Sequence, residues 1–221
     1  MIVIILAGGR GERLNSITEY VPKSLIPINN VPIIERQIKY LQKFNITKFV
    51  IALGYLSQQV INYIQHKNYF YADIEFSIEK TLLGTGGAIK NIIDDKNENS
   101  YIIMNGDIIT NMDISLLQSQ IDSVAIIPLI TKFGVVCIND NRITQFDEKK
   151  IVSNKWMNSG LYHLSKKLLN KLPTNGNIEQ TLFPMCAKQN LLYALKYQNI
   201  MWHSIDSYKD INECEIKLSS I

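Results

Sequence analysis

The residues best suited to chemistry stand directly after the first apolar run of the chain. Gly8, Gly9 and Gly11 follow that run within a few positions. A strand that ends in a glycine-rich turn exposes backbone N–H groups, and such groups bind phosphate oxygens. Arg13 adds a planar guanidinium and Lys23 a compact ammonium, both of which bind polyphosphate. The segment therefore predicts a site for a nucleoside triphosphate.

The glycine turn differs from the two best-known nucleotide-binding loops. A Walker A loop needs G-x-x-x-x-G-K-[ST], and no lysine follows Gly11. A dinucleotide loop needs G-x-G-x-x-G, whereas Gly9-x-Gly11 leads to Leu14. A plain strand-to-helix turn is the alternative interpretation. The addition of Arg13 and Lys23 at this spacing favours a phosphate site.

A carboxylate suited to a metal ion occurs at Asp107, in the sequence Asn-Gly-Asp after the apolar residues 101–104. Ligands of open α/β sheets bind at the carboxyl ends of the strands. Mg²⁺ is held in proteins by one or two carboxylates together with substrate phosphates and water. An ordinary Asn-Gly-Asp turn is the alternative interpretation. From the residues alone, both interpretations of Asp107 stay open.

These elements together resemble a known family. The motifs G-G-x-G-x-R-L and P-K-x-L-x-P-I in the first 28 residues are similar to the signature of sugar-1-phosphate nucleotidyltransferases. The resemblance implies an α/β fold of the nucleotide-diphospho-sugar transferase type, Rossmann-like, with a mixed, mostly parallel sheet flanked by helices. It also implies transfer of a nucleotide from a triphosphate to a sugar 1-phosphate, release of pyrophosphate, and Mg²⁺ as cofactor. Glu12 departs from the threonine usual in the family, and we expect it to point outward.

The resemblance assigns ten residues to nucleotide binding and divides the remaining roles between catalysis, metal and acceptor. The nucleotide-binding residues are Leu6, Ala7, Gly8, Gly9, Gly11, Arg13, Lys23, Glu79, Gly84 and Thr85. The catalytic residues are Arg13, Lys23, Asp107, Lys149 and Asp206, of which Asp107 and Asp206 are the metal ligands. The residues for the sugar 1-phosphate are Asn105, Gly134, Glu148, Lys149, Asn158 and Glu179.

The second metal ligand depends on how residues 202–210 are aligned. The segment resembles W-x-x-M-D-T-x-x-D of glucose-1-phosphate cytidylyltransferases, which places Asp206 at the metal. An alignment to D-x-G-T-P-x-D places Ser204 there instead and would remove one ligand. A third interpretation makes Asp206 the N-cap of the following helix, or a carboxylate near that helix that faces its dipole. Asp206 is the preferred ligand.

Glu79 precedes a second glycine-rich loop, which resembles the family loop that closes over the base. A carboxylate accepts hydrogen bonds from both the ring N–H and the amino group of guanine, and from the amino group of cytosine. The stretch I-E-F-S-I-E-K-x-x-L-G-T-G-G-A-I is most similar to D-glycero-α-D-manno-heptose 1-phosphate guanylyltransferases. GTP is therefore favoured, although the cytidylyltransferase-like segment at 202–210 favours CTP. An exposed glutamate before a glycine turn is the plain alternative.

Composition bounds the functional class. The chain has 221 residues, a net charge of +3 and 46% hydrophobic residues, which suffices for a packed core. Neither a basic block nor a run of about 20 apolar residues occurs, so we expect neither nucleic-acid binding nor membrane insertion. Cys137, Cys186 and Cys214 are odd in number and far apart, which predicts reduced, buried thiols in a cytoplasmic protein.

Apolar runs alternate with helical patterns, as in β-α-β units. Strands are predicted at 2–7, 48–53, 74–78, 101–104, 123–130, 134–138, 142–146, 161–164 and 192–197. Helices are predicted at 33–44, 57–65, 84–93, 178–188 and 209–218. Ser57 is expected to cap the second helix. We predict a single nucleotidyltransferase domain over 1–221, with a nucleotide-binding half at about 1–112 and a sugar-phosphate-binding half at about 113–221.

Two other functions compete with a guanylyltransferase. One is a cytidylyl- or uridylyltransferase that acts on glucose, hexosamine or muramyl 1-phosphate, or on a non-sugar phosphate. The other is a non-catalytic paralogue that binds nucleotide and regulates a partner. A paralogue of that kind is expected to lose Arg13, Lys23 or Asp107, and all three are present. A nucleoside triphosphate and a sugar 1-phosphate are thus the expected partners, and a homodimer is left open.

Overall fold

The computed structural model describes residues 1–14, 17–131, 133–148 and 151–220. The strands are β1 (Ile2–Leu6), β2 (Pro27–Ile28), β3 (Val31–Pro32), β4 (Lys48–Leu53), β5 (Asp73–Ile78), β6 (Ser100–Asn105), β7 (Ile108–Thr110), β8 (Ser123–Ile130), β9 (Val135–Asn139), β10 (Arg142–Asp147), β11 (Ile151–Ser165), β12 (Tyr193–Lys196) and β13 (Trp202–Ser204). The α-helices are α1 (Ile33–Gln42), α2 (Ser57–His66), α3 (Gly84–Asp94), α4 (Ser115–Ser119), α5 (Lys166–Leu169), α6 (Leu182–Lys188) and α7 (Tyr208–Ser219). Short 3-10 helices occur at Glu12–Leu14, Lys23–Leu25 and Asn68–Tyr71.

A seven-stranded sheet organises the fold, in the order β12-β8-β11-β6-β1-β4-β5. The pairs β6–β1, β1–β4, β4–β5 and β12–β8 are parallel. Only β11 runs antiparallel to its two neighbours in this sheet, β6 and β8. The sheet is thus mixed and mostly parallel, which confirms the predicted fold class. It takes strands from both predicted halves of the chain.

Helices cover both faces of the sheet because its central strands are apolar on both sides. Val3 and Ile5 of β1 pack with α1, α2 and α4 on one face. Ile2 and Ile4 pack with α3, α5 and α6 on the other. The helices supply apolar stripes at helical spacing, such as Ile34, Ile38 and Leu41 in α1. The burial of both faces leaves the strand ends as the place where polar side chains converge.

A third apolar cluster lies under the glycine turn and joins the two ends of the chain. Leu14 and Ile205 are both buried in it, with relative exposures of 1% and 0%. Their chain neighbours are Arg13 and Asp206, which carry charge. The pairing of β7 with β13 aligns Ser204 with Ile108 and brings the two segments together. Apolar packing therefore anchors charged residues that are distant in sequence.

Several local predictions were wrong. The helix predicted at 178–188 begins only at Leu182, since residues before it form a turn that contacts α3. Ser57 is the first residue of α2 rather than its cap; Leu56 precedes it in a left-handed conformation. The strand predicted at 161–164 is the end of the much longer β11. Cys137 is exposed on a two-stranded hairpin, although the other two cysteines are buried as expected.

Within the described ranges, no helix is both long enough and apolar enough to cross a bilayer.

Candidate active site

A cavity of about 730 Å³ opens at the carboxyl ends of β1, β4 and β6. The register of the sheet puts the last residue of β1, Leu6, beside Ala52 and Asn105 of its two neighbours. All ten residues predicted to bind nucleotide line the cavity. They are Leu6, Ala7, Gly8, Gly9, Gly11, Arg13, Lys23, Glu79, Gly84 and Thr85. The parallel sheet therefore gathers these residues at one edge.

The glycine turn lies close to the strands beside it. Gly11 has φ +67°, and a Cβ there would lie 3.2 Å from the Cβ of Lys23. The Gly11 carbonyl accepts hydrogen bonds from Leu14 N–H at 2.9 Å and Thr18 Oγ1 at 3.1 Å. These bonds fix the turn so that Arg13 follows it at the mouth of the cavity. Glycine is needed at this position because other residues rarely adopt a positive φ.

Four charged side chains converge at this mouth. Lys23 Nζ lies 2.6 Å from Asp107 Oδ2 and 2.8 Å from Asp206 Oδ1. The Arg13 guanidinium reaches the same Asp206 oxygen at 2.8 Å. The side chains of Lys23, Asp107 and Asp206 are 15%, 24% and 17% exposed, whereas that of Arg13 is 76% exposed. The cluster is thus two half-buried carboxylates around an ammonium, with an exposed guanidinium on the solvent side.

The pKa of Asp206 is set by opposing effects. Burial raises the pKa of this carboxyl, but hydrogen bonds from Lys23 and Ser204 and the charge of Arg13 lower it further than burial raises it. The net pKa lies below the usual aspartate value. Asp206 is therefore a carboxylate at neutral pH, as a metal ligand must be.

The three interpretations of residues 202–210 put different side chains at the metal or at the start of α7, and the structure shows where each side chain lies. The Ser204 hydroxyl donates to Asp206 Oδ2 at 3.0 Å, so Ser204 stands behind the carboxylate. The backbone N–H of Ile205 donates to the Asp107 carbonyl at 3.0 Å, which leaves Asp206 facing Asp107. The side chain of Ser207, not Asp206, caps α7 by accepting from Asp210 N–H. The interpretation of Asp206 as a helix cap was wrong.

The pair Asp107 and Asp206 fits a Mg²⁺ ion. Both carboxylates lie within 3 Å of the Lys23 ammonium, so a cation at this position is stabilised by two negative charges. No cluster of three or more histidine, cysteine or acidic side chains suited to a metal occurs in the described part of the chain. Two protein carboxylates completed by phosphate oxygens and water are what Mg²⁺ commonly uses.

Glu79 lies against the backbone of the first glycine turn. Its Oε1 would be only 2.9 Å from a Cβ added at Gly8 and 3.0 Å from one added at Gly54. Its Oε2 accepts the N–H of Leu83 at 3.1 Å, which turns the carboxylate toward the cavity. Burial raises the pKa of Glu79, and the hydrogen bond from Leu83 opposes that rise. The second oxygen accepts no hydrogen bond from any residue that the structure describes.

The residues predicted for the sugar 1-phosphate fall into two groups. Asn105 lines the cavity, whereas Asn158 and Glu179 do not line it and are both hydrogen-bonded to the Tyr162 hydroxyl. Gly134 and Glu148 lie beside each other at the ends of the exposed β9–β10 hairpin. They do not line the cavity. Lys149 lies outside the described residues.

Sequence reasoning missed several residues of the cavity wall. Further lining residues are Arg10, Glu12, Leu14, Ser24, Ala52, Leu82, Ala88, Gly106 and Asn177. Glu12 is exposed, as expected, although it borders the cavity. Gly106 had a signal in the Asn-Gly-Asp motif: a Cβ there would collide with the Leu6 carbonyl. Asn177 had none, because its side chain reaches Thr85 N–H from a distant loop, at 3.2 Å.

A second cavity, of about 1130 Å³, also borders Asp206. Its wall includes Phe133, Met157, Trp202 and Asp206. Asp206 therefore lines both cavities, so a molecule in the second cavity can also reach this carboxylate.

Comparison with known proteins gives the same family throughout. The sequence model of the nucleotidyl transferase family matches residues 2–219. The D-glycero-alpha-D-manno-heptose 1-phosphate guanylyltransferase of Aneurinibacillus thermoaerophilus is 33% identical over 176 residues, 76% of this chain and 76% of that protein. The mannose-1-phosphate guanyltransferase beta-B of Xenopus laevis is 31% identical over 228 residues, 95% of this chain and 62% of that longer protein.

A solved structure extends the comparison to the fold. The structure of HddC from Yersinia pseudotuberculosis complexed with GMP-PN matches with a TM-score of 0.78 and 26% identity, covering 98% of this chain and 99% of that chain. The family match spans nearly the whole chain, and the residues at its glycine turn and strand ends form one charged cavity. The chain therefore belongs to the nucleotidyl transferase family, as a sugar-1-phosphate nucleotidyltransferase.

Proposed function

We propose that this enzyme transfers the guanylyl group of GTP to a sugar 1-phosphate of the heptose or mannose type and releases pyrophosphate. The observation that carries the proposal is the cluster of Arg13, Lys23, Asp107 and Asp206 at the mouth of the glycine-lined cavity. It joins two cations suited to phosphates with two carboxylates suited to a divalent metal. The glycine turn supplies backbone N–H groups for the triphosphate.

The chemistry proposed is in-line attack of the acceptor phosphate on the α-phosphorus of GTP. A phosphate oxygen is already an anion, so no general base is required, and catalysis consists of positioning and charge stabilisation. Arg13 stabilises the charge that grows on the leaving pyrophosphate, and Lys23 neutralises the phosphates beside it. Lys149 is proposed to hold the acceptor phosphate. Asp206 borders two cavities, which together offer room for the triphosphate and the acceptor.

Asp107 and Asp206 would hold Mg²⁺ in this mechanism. The ion supplies positive charge to the phosphate oxygens during transfer. The low pKa of Asp206 keeps that carboxylate ready to bind a cation at neutral pH. Release of the Lys23 ammonium from its two carboxylates would free it to contact the phosphates.

Glu79 supports guanine as the base. Its free oxygen and its position against the glycine turn allow it to accept from the ring N–H and amino group of guanine. The names of the two relatives, a heptose and a mannose 1-phosphate enzyme, support both the base and the type of sugar. The GMP-PN complex of HddC supports the base alone. We place the enzyme in the cytoplasm because its three cysteines are free thiols.

CTP is the second candidate, since a carboxylate such as Glu79 can also accept from the cytosine amino group and residues 202–210 resemble a cytidylyltransferase segment. The test is pyrophosphate release with Mg²⁺, comparing GTP, CTP, UTP, dTTP and ATP against pooled heptose and hexose 1-phosphates. Release with GTP and a heptose or mannose 1-phosphate is the expected result. Release with only CTP or UTP would contradict the assignment of the base, and a Glu79→Gln variant then shows whether Glu79 reads the base.

A further inference from the structure

Tyr162 is a fully buried tyrosine whose hydroxyl lies among polar side chains rather than in the apolar core around its ring. The side chain has 0% relative exposure. Its ring meets the ring of Phe183 edge-on, with centroids 4.9 Å apart. The sheet register pairs it with Ile103 of β6 and Val124 of β8. Packing on all sides therefore fixes where the hydroxyl points.

The hydroxyl links two residues that were predicted to bind the acceptor. Asn158 Nδ2 donates to it at 2.8 Å, and it donates to Glu179 Oε1 at 3.5 Å. Asn158 is held in turn by Gly160 N–H, which donates to its Oδ1 at 2.9 Å. Burial raises the pKa of the Tyr162 phenol above its usual value, so the hydroxyl keeps its proton and can donate to a carboxylate.

The Glu179 carboxylate is held from its other side by Thr85, the second residue of α3. Thr85 Oγ1 donates to Glu179 Oε2 at 2.9 Å. Thr85 Oγ1 itself accepts from Ile178 N–H at 2.9 Å. Glu179 therefore has one donor on each oxygen, and an unbroken series of hydrogen bonds runs from Thr85 through Glu179 and Tyr162 to Asn158.

An unpaired acceptor beside this series indicates where a ligand belongs. Asn105 Oδ1 is buried, and no donor for it occurs among the residues that the structure describes. The Asn105 amide also interacts with the Tyr162 hydroxyl and lies 2.9 Å from where Gly160 would carry a Cβ. A buried oxygen without a donor is costly, and a ligand hydroxyl would satisfy it.

We propose that Tyr162 is a positioning residue for the acceptor: its hydroxyl holds Asn158 and Glu179 in the orientation that receives the hydroxyl groups of the sugar 1-phosphate. Through Glu179 it also ties the acceptor side to Thr85 of α3. This inference rests on the proposed function. It assigns to Tyr162 no contact with the reacting atoms.

The test is Tyr162→Phe, which removes only the hydroxyl. We expect the KM for the sugar 1-phosphate to rise about tenfold, because Glu179 and Asn158 lose their shared partner. The affinity for GTP, measured by calorimetry without acceptor, stays within about twofold of the wild type. Tyr101→Phe is the matched control: Tyr101 is equally buried on the adjacent strand, and its hydroxyl accepts from Glu98 N–H at 3.3 Å, the one hydrogen bond that the described residues give it.

A double-variant cycle separates positioning from general loosening. Glu179→Gln should raise the acceptor KM, and Tyr162→Phe should add little in the Glu179→Gln background, since both changes disrupt one unit. Full additivity of the two effects would overturn the proposal. An equal loss of GTP affinity in Tyr162→Phe, or a KM no higher than that of Tyr101→Phe, would also overturn it.

The proposed function and this inference fail in different ways. If the wild type binds GTP but turns over no sugar 1-phosphate, the proposed function is wrong, and the role of Tyr162 falls with it. If the wild type is active and Tyr162→Phe keeps the wild-type KM for the acceptor, only the role of Tyr162 is wrong.

Discussion

Lys23 holds two carboxylates together, and its replacement gives the sharpest test of the charged cluster. Lys23→Met keeps the length of the side chain and removes the ammonium that lies 2.6 Å from Asp107 and 2.8 Å from Asp206. Among the described residues, Arg13 is then the one cation still in contact with the two carboxylates. Its side chain is 76% exposed and reaches only Asp206. Two half-buried carboxylates would face each other with little compensation.

The magnitude follows from the burial of the three side chains. Removal of one partner of a fully buried ion pair costs about 3–5 kcal/mol, because the remaining charge is left uncompensated. Here the three side chains are 15–24% exposed, so water offsets part of that cost. We expect a loss of about 2–4 kcal/mol in the free energy of unfolding at pH 8 without divalent ions.

Mg²⁺ should reverse much of this loss if the ammonium and the ion occupy the same position. Urea unfolding of wild type and Lys23→Met, with EDTA and then with Mg²⁺, measures the effect. The variant should gain about 1.4 kcal/mol more from Mg²⁺ than the wild type does, the equivalent of tenfold tighter binding. Competition with Lys23 is absent in the variant, which is the reason for the tighter binding.

Lys90→Met is the matched control. Lys90 Nζ lies 2.7 Å from Asp94, its side chain is 19% exposed, and the pair lies on one turn of α3 with a single, half-exposed carboxylate. Its loss should be about 0.5 kcal/mol and independent of Mg²⁺. A Lys23→Met variant as stable as the wild type in EDTA, or one that Mg²⁺ stabilises no more than the wild type, would refute the reasoning.

Three further predictions concern single side chains of the site. Arg13→Ala should lower kcat by about 10²–10³, as the loss of one preorganised donor does. The control Arg142→Ala, on the exposed hairpin, should change kcat little. A near-normal kcat for Arg13→Ala in stopped-flow pyrophosphate assays would refute the role of Arg13. Glu79→Gln should lower kcat/KM for GTP by about 10- to 100-fold, because one carboxylate oxygen that accepts from guanine becomes an amide NH2 group, which cannot accept. Burial raises the pKa of Glu79, so this carboxylate becomes protonated at a higher pH than an exposed glutamate does. The GTP affinity of the wild type, measured by calorimetry, should therefore fall as the pH is lowered through that range, whereas the affinity of Glu79→Gln should not. The same pH profile in both proteins would contradict the assignment. Mn²⁺ binding, followed by electron paramagnetic resonance, compares Ser204 with Asp206. Ser204→Ala should weaken this binding by about tenfold at most, whereas Asp206→Asn should abolish it. A larger loss in Ser204→Ala than in Asp206→Asn would make Ser204 the ligand.

The nucleotide side of the site could be predicted because its signals are local in sequence. A strand, a glycine turn and two cations follow one another within the first 23 residues, and each residue type has one main use at such a turn. The ten residues named for nucleotide binding all line one cavity. The alternation of apolar runs and helical patterns was equally local, and it indicated the parallel sheet correctly.

The acceptor side could not be predicted to the same depth, since its contacts join distant elements. Thr85 of α3 meets Glu179 across 94 positions, and Tyr162 meets Glu179 from β11. Asn158 and Glu179 were named for the acceptor, but the residue that joins them depends on where the turn before α6 lies. That turn also replaced the first part of a predicted helix, since its backbone bonds to α3.

The sequence by itself determined the family, the strand-turn chemistry at Gly8–Gly11 and the types of charge available, because these depend on residues near one another in the chain. Only the tertiary structure decided that the carboxylate of Asp206, with Ser204 behind it, faces Asp107 across Lys23. The pairing of β7 with β13 and the burial of Ile205 set that arrangement. Ser204 is the last residue of β13 and Asp206 lies beyond that strand, so the positions of both side chains depend on contacts with the distant segment around Asp107, which the local sequence does not show.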